Sequence, residues 1–143
     1  MKEQLVSFET AKLAKEKGFI EECLHFYCKN KVCDHIEEPY EYSFRVNSNK
    51  DSKDNLGYGI TWSAPTQSLL QKWLREKHNI IVTSLPYEDE IPECEGEKRQ
   101  TLWEDETIDC RETPWLREIT TYTYYHSYEE ALKQGLQETL KLI

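Results

Sequence analysis

The chain has 143 residues, of which 38% are hydrophobic and 12% aromatic, a composition that fits one folded domain and excludes a disordered chain. Its 18 Lys and Arg against 27 Asp and Glu give a net charge of −9, which disfavours a binder of duplex nucleic acid, since such proteins need a basic face. No run of about 18 apolar residues occurs, and the first residues lack a signal-peptide core. We therefore expect no membrane association and a cytoplasmic location.

The first half of the sequence predicts one helix followed by two strands. Ser7 can cap a helix over residues 8–17, and Gly18 supplies a residue type that often ends helices. Strand-forming residues fill 22–30, and residues 39–47 alternate large apolar side chains with polar ones. Because successive side chains of a strand face opposite ways, this alternation indicates a strand with one buried face.

A second helix is predicted within SAPTQSLLQKWLREKHNI, residues 63–80. Ser63 or Ala64 can cap it, and Pro65 suits its first turn. Its apolar stripe consists of Leu69, Leu70, Trp73 and Leu74. A β-branched run over 80–85 follows at once and predicts a strand. We interpret helix and strand as a packing unit rather than a DNA-recognition element, because no preceding helix and tight turn complete a helix-turn-helix motif.

An acidic segment separates this unit from the last third of the chain. Residues 87–114 contain eleven acidic side chains against three basic ones and show little regular pattern, so we interpret them as an acidic insertion. Residues 115–126 are rich in strand formers. We expect residues 116–125 to pair with 80–85 in a hairpin that carries the acidic insertion at its tip.

A final helix completes the predicted fold. Ser127 and Glu130 have capping-box spacing, and apolar residues continue at helical spacing to Ile143. The order of helices and strands predicts an α+β fold. We expect a single small domain over residues 1–143, with a mainly antiparallel sheet of about four strands packed by two or three helices.

No residue pattern specific to catalysis, a metal or a cofactor is present. Cys23, Cys28 and Cys33 are five residues apart, which fits poorly with the short spacing of zinc knuckles. The segment 33–38 contains a thiol, an imidazole and carboxylates, but sequence neighbours rarely form a catalytic triad. We therefore expect no catalytic residue, metal or cofactor, and interpret the five cysteines as reduced thiols.

Two binding sites are predicted instead. The first is a protein-binding strip in which carboxylates flank two apolar residues and can attract a basic partner. It consists of Glu88, Asp89, Glu90, Leu102, Trp103, Glu104, Asp105 and Glu106. The alternative is an aromatic pocket for a nucleotide or metabolite, lined by His25, Trp62, Tyr122 and Tyr124. A homo-oligomer joined through an exposed sheet edge is a further alternative.

Three blocks of the sequence resemble a group of small uncharacterised proteins from bacteriophages, prophages and gut bacteria of the Bacteroidetes type. The blocks are VSFETAKLAKEKGF, YGITWSAPTQSLLQKWLREKHNI and SYEEALKQGLQETLKLI. The resemblance implies an accessory protein of a mobile element in a bacterial cytosol, and it carries no catalytic residues. The expected function is non-catalytic protein binding through the acidic segment, with a small-ligand-binding protein or enzyme as the alternative.

Overall fold

The structure is a computed structural model in which residues 3–29, 39–46, 49, 60–87, 102–111, 117–120 and 123–143 are described. These residues form helices and strands in the following order. They are α1 (Phe8–Glu16), β1 (Cys23–Lys29), β2 (Tyr40–Val46), β3 (Ile60–Ser63), α2 (Gln67–His78), β4 (Ile80–Tyr87), β5 (Leu102–Asp109), β6 (Arg117–Thr120) and α3 (Tyr128–Leu142).

The strands pair antiparallel in two sheets of three strands each. In the first sheet β1 lies between β2 and β3, and in the second sheet β5 lies between β4 and β6. The predicted α+β class and the antiparallel pairing are confirmed. The strands are divided between two sheets and do not form the single sheet of about four strands that was predicted. The chain leaves the first sheet at the end of β3 and enters the second sheet only after α2.

One hydrophobic core joins the two sheets through the helices. Helices α2 and α3 pack on the second sheet, and α1 contacts both β3 and α3. Trp73 of α2 is 4% exposed, and its ring packs edge-to-face against Phe19 with centroids 5.4 Å apart. The fully buried leucines are Leu70, Leu74, Leu136 and Leu140. The helix predicted within residues 63–80 therefore packs at the centre of the core, where each buried leucine contributes about 1.5–3 kcal/mol.

Side chains cap the start of each helix. Ser7 and Ser127 cap α1 and α3 as predicted. Helix α2 is capped by Thr66 rather than by Ser63 or Ala64. The start is later than expected because Ser63 is the last residue of β3 and remains paired with β1.

The acidic segment is partly a strand. Residues 102–109 form β5, the centre of the second sheet, and pair with β4 along its whole length. The interpretation of 87–114 as an irregular acidic insertion is therefore wrong for this part. The carboxylates hid the alternation in LWEDETID, whose buried positions hold Asp and Thr rather than large apolar residues. Residues 88–101, the other acidic part, lie outside the described residues.

The predicted hairpin is also wrong. Residues 80–85 pair with β5. The described strand of the later region, β6, pairs with the opposite side of β5 and not with β4. The two strand-forming runs are thus neighbours of one acidic strand rather than of each other. Strands that follow each other in sequence are often neighbours in a sheet, as β4 and β5 are here.

Residues 4–6 add a short backbone pairing at the start of α2. The N–H of Val6 donates to the carbonyl oxygen of Pro65 at 3.0 Å. The hydroxyl of Tyr27 on β1 donates to the carbonyl oxygen of Val6 at 2.8 Å. Burial, together with the smaller effect of the Glu9 carboxylate, raises the pKa of Tyr27. This hydroxyl therefore stays protonated and fixes the N-terminal segment to the first sheet.

Candidate functional site

The second sheet has two faces of different composition. Alternate residues of β4 and β5 face α2 and α3, and they include Val82 and Asp105, which are buried. The residues between them face away from the helices, and we call the surface they form the outer face. It consists of Ile81, Thr83, Leu85 and Tyr87 on β4 and of Leu102, Glu104, Glu106 and Ile108 on β5.

The face toward the helices is closely packed against α3. A Cβ atom at Gly135 would lie 3.0 Å from Asp105 Cβ and 3.1 Å from Val82 Cγ1, so the glycine permits the close approach of helix and sheet. The hydroxyls of Thr107 and Thr139 are hydrogen-bonded at 3.0 Å across the same interface. The buried β5 residues on this face are polar, but they form hydrogen bonds, as buried polar groups require.

The outer face combines exposed apolar side chains with carboxylates. Ile81 and Leu85 are 40% and 41% exposed. Glu104 lies directly opposite Leu85 in the β4–β5 ladder, and Glu106 lies opposite Thr83. Within the described residues neither carboxylate forms a salt bridge. The outer face therefore offers apolar area and uncompensated negative charge side by side.

Two tyrosines lie at one end of the outer face. The rings of Tyr87 and Tyr124 have centroids 4.4 Å apart and an interplanar angle of 39°, and Tyr124 is 44% exposed. Tyr87 is directly opposite Leu102 in the ladder. Stacked aromatic rings beside an aliphatic residue are the kind of group that provides much of the binding energy in protein interfaces.

The predicted partner-binding residues divide between the two faces. Leu102, Glu104 and Glu106 lie on the outer face, whereas Asp105 is 1% exposed and cannot contact a partner. Trp103 is half-buried, with its ring 5.5 Å from that of Tyr128 at the start of α3. The other predicted residues, Glu88, Asp89 and Glu90, lie outside the described residues. The prediction for Asp105 is corrected because its position in the strand turns the side chain toward α3.

The predicted aromatic pocket is not assembled by the described residues. Trp62 lies on β3, where its ring packs edge-to-face on Phe8 with centroids 5.1 Å apart, and His25 lies on the neighbouring β1. Tyr124 stacks instead on Tyr87 of the second sheet. Tyr122 lies outside the described residues. Trp62 and Tyr124, which were predicted to line one pocket, therefore pack in two different sheets.

A surface cleft lies between the N-terminal segment and the start of α2. It has a volume of about 530 Å³ and includes Glu3, Tyr27, Gln67 and Lys133 in its lining. The Gln67 amide donates to the carbonyl oxygen of Glu129 at 3.2 Å, and the Tyr27 hydroxyl is held by the N-terminal segment. The polar groups of the cleft are therefore largely engaged in holding the fold together.

The described residues contain no group of His, Cys, Asp and Glu side chains that could hold a metal ion. Cys23 and Cys28 are buried, and Cys110 is half-buried. No helix in the described part of the chain is long and apolar enough to cross a membrane. No protein-family model, curated protein or solved structure matches the chain. The outer face, with exposed apolar side chains beside carboxylates, is the candidate binding surface.

Sequence reasoning missed half of this face. Ile81 and Leu85 were expected to be ordinary strand residues, because IIVTSL is apolar or small at nearly every position and does not reveal which side is buried. Tyr87 was assigned to the acidic insertion. The partner strand supplies the missing information. Once β5 is placed beside β4, the burial of Asp105 and Thr107 shows that Ile81 and Leu85 face outward.

Proposed function

We propose that this protein is a non-catalytic binding protein whose outer face contacts a partner protein that carries basic and apolar residues. The observation that carries this proposal is the exposure of Ile81 and Leu85 beside Glu104 and Glu106. Apolar side chains supply binding energy when they leave water. Carboxylates select a partner with positive charge and accelerate the encounter.

The same arrangement restricts which residues the partner can place against the outer face. Burying Glu104 or Glu106 without an opposite charge is costly, so the partner must place Lys or Arg side chains against the middle of the outer face. A second copy of the chain would bring like charges together and is disfavoured on this surface. Tyr87 and Tyr124 at one end supply a rigid aromatic contact for an apolar residue of the partner.

The biological setting proposed for this activity is that of a bacteriophage or prophage accessory protein in a bacterial cytosol. Sequence resemblance alone supports this setting. The small-ligand alternative receives no support from a specific contact, since Trp62 and Tyr124 pack in different sheets.

Charge reversal on the outer face tests the proposal. The partner is isolated by affinity capture from a bacterial lysate and its affinity is then measured by titration at low and high salt. Replacing Glu104→Lys and Glu106→Lys together should weaken binding about tenfold or more, because two attractions become repulsions. The matched control is Glu16→Lys with Glu76→Lys, which changes the net charge equally on exposed positions of α1 and α2.

The apolar part is tested separately with Leu85→Ala. This variant should weaken binding without changing its dependence on salt, whereas the two lysines should reduce or reverse that dependence. If the outer-face pair and the control pair bind equally well, the partner contacts another surface and the proposal is wrong.

A further inference from the structure

Among the strands that the structure describes, β4 lies at the edge of the second sheet and pairs only with β5. We infer that the side chain of Gln71 prevents another strand from pairing with this edge. Without Gln71, β4 would pair with the β4 of a second copy of this chain. This inference concerns the strand edge and is independent of partner binding at the outer face.

The hydrogen-bonding direction of each β4 residue follows from the register. The N–H of Cys110 donates to the carbonyl oxygen of Asn79 at 3.0 Å, just before the strand begins. In an antiparallel pair the bonded positions alternate, so the odd-numbered residues of β4 bond to β5. The even-numbered residues direct their backbone groups to the free edge, and these residues are Ile80, Val82, Ser84 and Pro86.

Two of these positions are blocked by different means. The amide Nε2 of Gln71, on α2, donates to the carbonyl oxygen of Val82 at 2.8 Å. Pro86 has no N–H to offer, and because it lies at an edge-facing position its presence costs no bond to β5. Gln71 thus occupies the middle of the edge and Pro86 its far end.

The strand needs such protection because of its composition. The residues of β4, IIVTSLPY, include no charge, although natural edge strands commonly use charged side chains to prevent pairing with another chain. Short uncharged segments rich in β-branched residues are those that associate most readily.

The first sheet has the same kind of protection, which supports a common role for these side chains. At the edge of β3, Lys15 Nζ donates to the carbonyl oxygen of Thr61 at 2.7 Å. The N–H of Ser63 donates to Asn49 Oδ1 at 2.9 Å. At β3 and at β4, side chains therefore form hydrogen bonds with backbone groups that face the edge of the sheet.

Two substitutions of similar length test the inference. Gln71→Met keeps the length of the side chain but removes the N–H donor, so the carbonyl oxygen of Val82 becomes available to another strand. Gln71→Glu also removes the donor, but it places a negative charge at the edge, and two copies would then repel each other. The mass of each variant in solution is measured by size-exclusion chromatography with light scattering over a range of concentrations, beside the unaltered protein and Gln134→Ala on α3.

The expected result is an approximately twofold increase in mass for Gln71→Met at high concentration. The unaltered protein, Gln71→Glu and Gln134→Ala should remain monomers. A monomeric Gln71→Met would overturn the inference, as would a dimeric unaltered protein. Equal association of Gln71→Met and Gln71→Glu would overturn it too, because general destabilisation would then explain both. Should Gln71→Met fail to fold by circular dichroism, Gln71→Asn, with an amide one methylene shorter, replaces it under the same criteria.

Discussion

The two faces of the second sheet use the same residue types for different purposes. β5 directs Asp105 toward α3, where it is buried, and directs Glu104 and Glu106 to the outer face. The shorter acid fits under a helix that comes close at Gly135, and the longer acids are half-buried on the opposite face. The position of an acidic residue within a strand, rather than the charge of its segment, thus decides whether the residue is buried against α3 or lies on the outer face.

The largest expected effect tests this difference with two neighbouring isoleucines. Ile80 is 1% exposed and Ile81 is 40% exposed. Ile80→Ala should lower the free energy of unfolding by roughly 2–5 kcal/mol through the cavity that it leaves. Ile81→Ala should lower it by no more than about 1 kcal/mol, since mainly strand propensity is lost. Urea denaturation measures both values, and equal losses would contradict the assignment of the two faces.

A smaller effect is expected where α3 approaches the sheet. Gly135→Val should lower the free energy of unfolding by about 1–3 kcal/mol, because the added side chain meets Asp105 and Val82. Gly135→Ala should cost less, since alanine gains about 1 kcal/mol in helix propensity. Thermal denaturation of both variants beside Gln134→Ala provides the comparison. A stability unchanged by Gly135→Val would show that helix and sheet can separate without cost.

The smallest expected effect lies at the last residue of α2, His78. The ring of His78 contacts Trp73 with centroids 4.5 Å apart. Burial, and next the positive charge of Arg111, lower the pKa of His78 from its ordinary value of 6.5. The unfolded chain therefore takes up a proton near pH 6.5 that the folded protein resists, and the free energy of unfolding should decrease as the pH falls below that value.

His78→Gln isolates this contribution from that of the carboxylates. Urea denaturation at about pH 8 and about pH 5.5 should show a smaller loss of stability for His78→Gln than for the unaltered protein. An equal loss in both proteins would mean that His78 titrates alike in the folded and unfolded chains.

The helices could be predicted because their signals are local. Ser127 with Glu130 marks the start of α3, and the spacing of Leu70, Trp73 and Leu74 marks the buried side of α2. The start of α2 was misplaced because the cap depends on where β3 ends. That limit is set by pairing with β1, which is not a local property of the sequence.

The outer face could be predicted only in part, because strand pairing is a non-local property. The acidic composition identified Glu104 and Glu106, but the same reasoning included Asp105, whose side chain faces the opposite side of the sheet and is buried. Ile81 and Leu85 were missed because an apolar run does not reveal its exposed side. The edge role of Gln71 has no sequence signal, since it depends on the distance from α2 to one carbonyl oxygen.

The burial of Trp73 against Phe19 makes this protein convenient to follow by its own fluorescence. An indole in an apolar core emits at shorter wavelength than one in water, so unfolding should shift part of the emission to the red. The neighbouring imidazole of His78 adds a second signal, because a protonated ring at this distance quenches an indole. The fluorescence spectrum can therefore report both the folding of the core and the protonation of His78 at the end of α2.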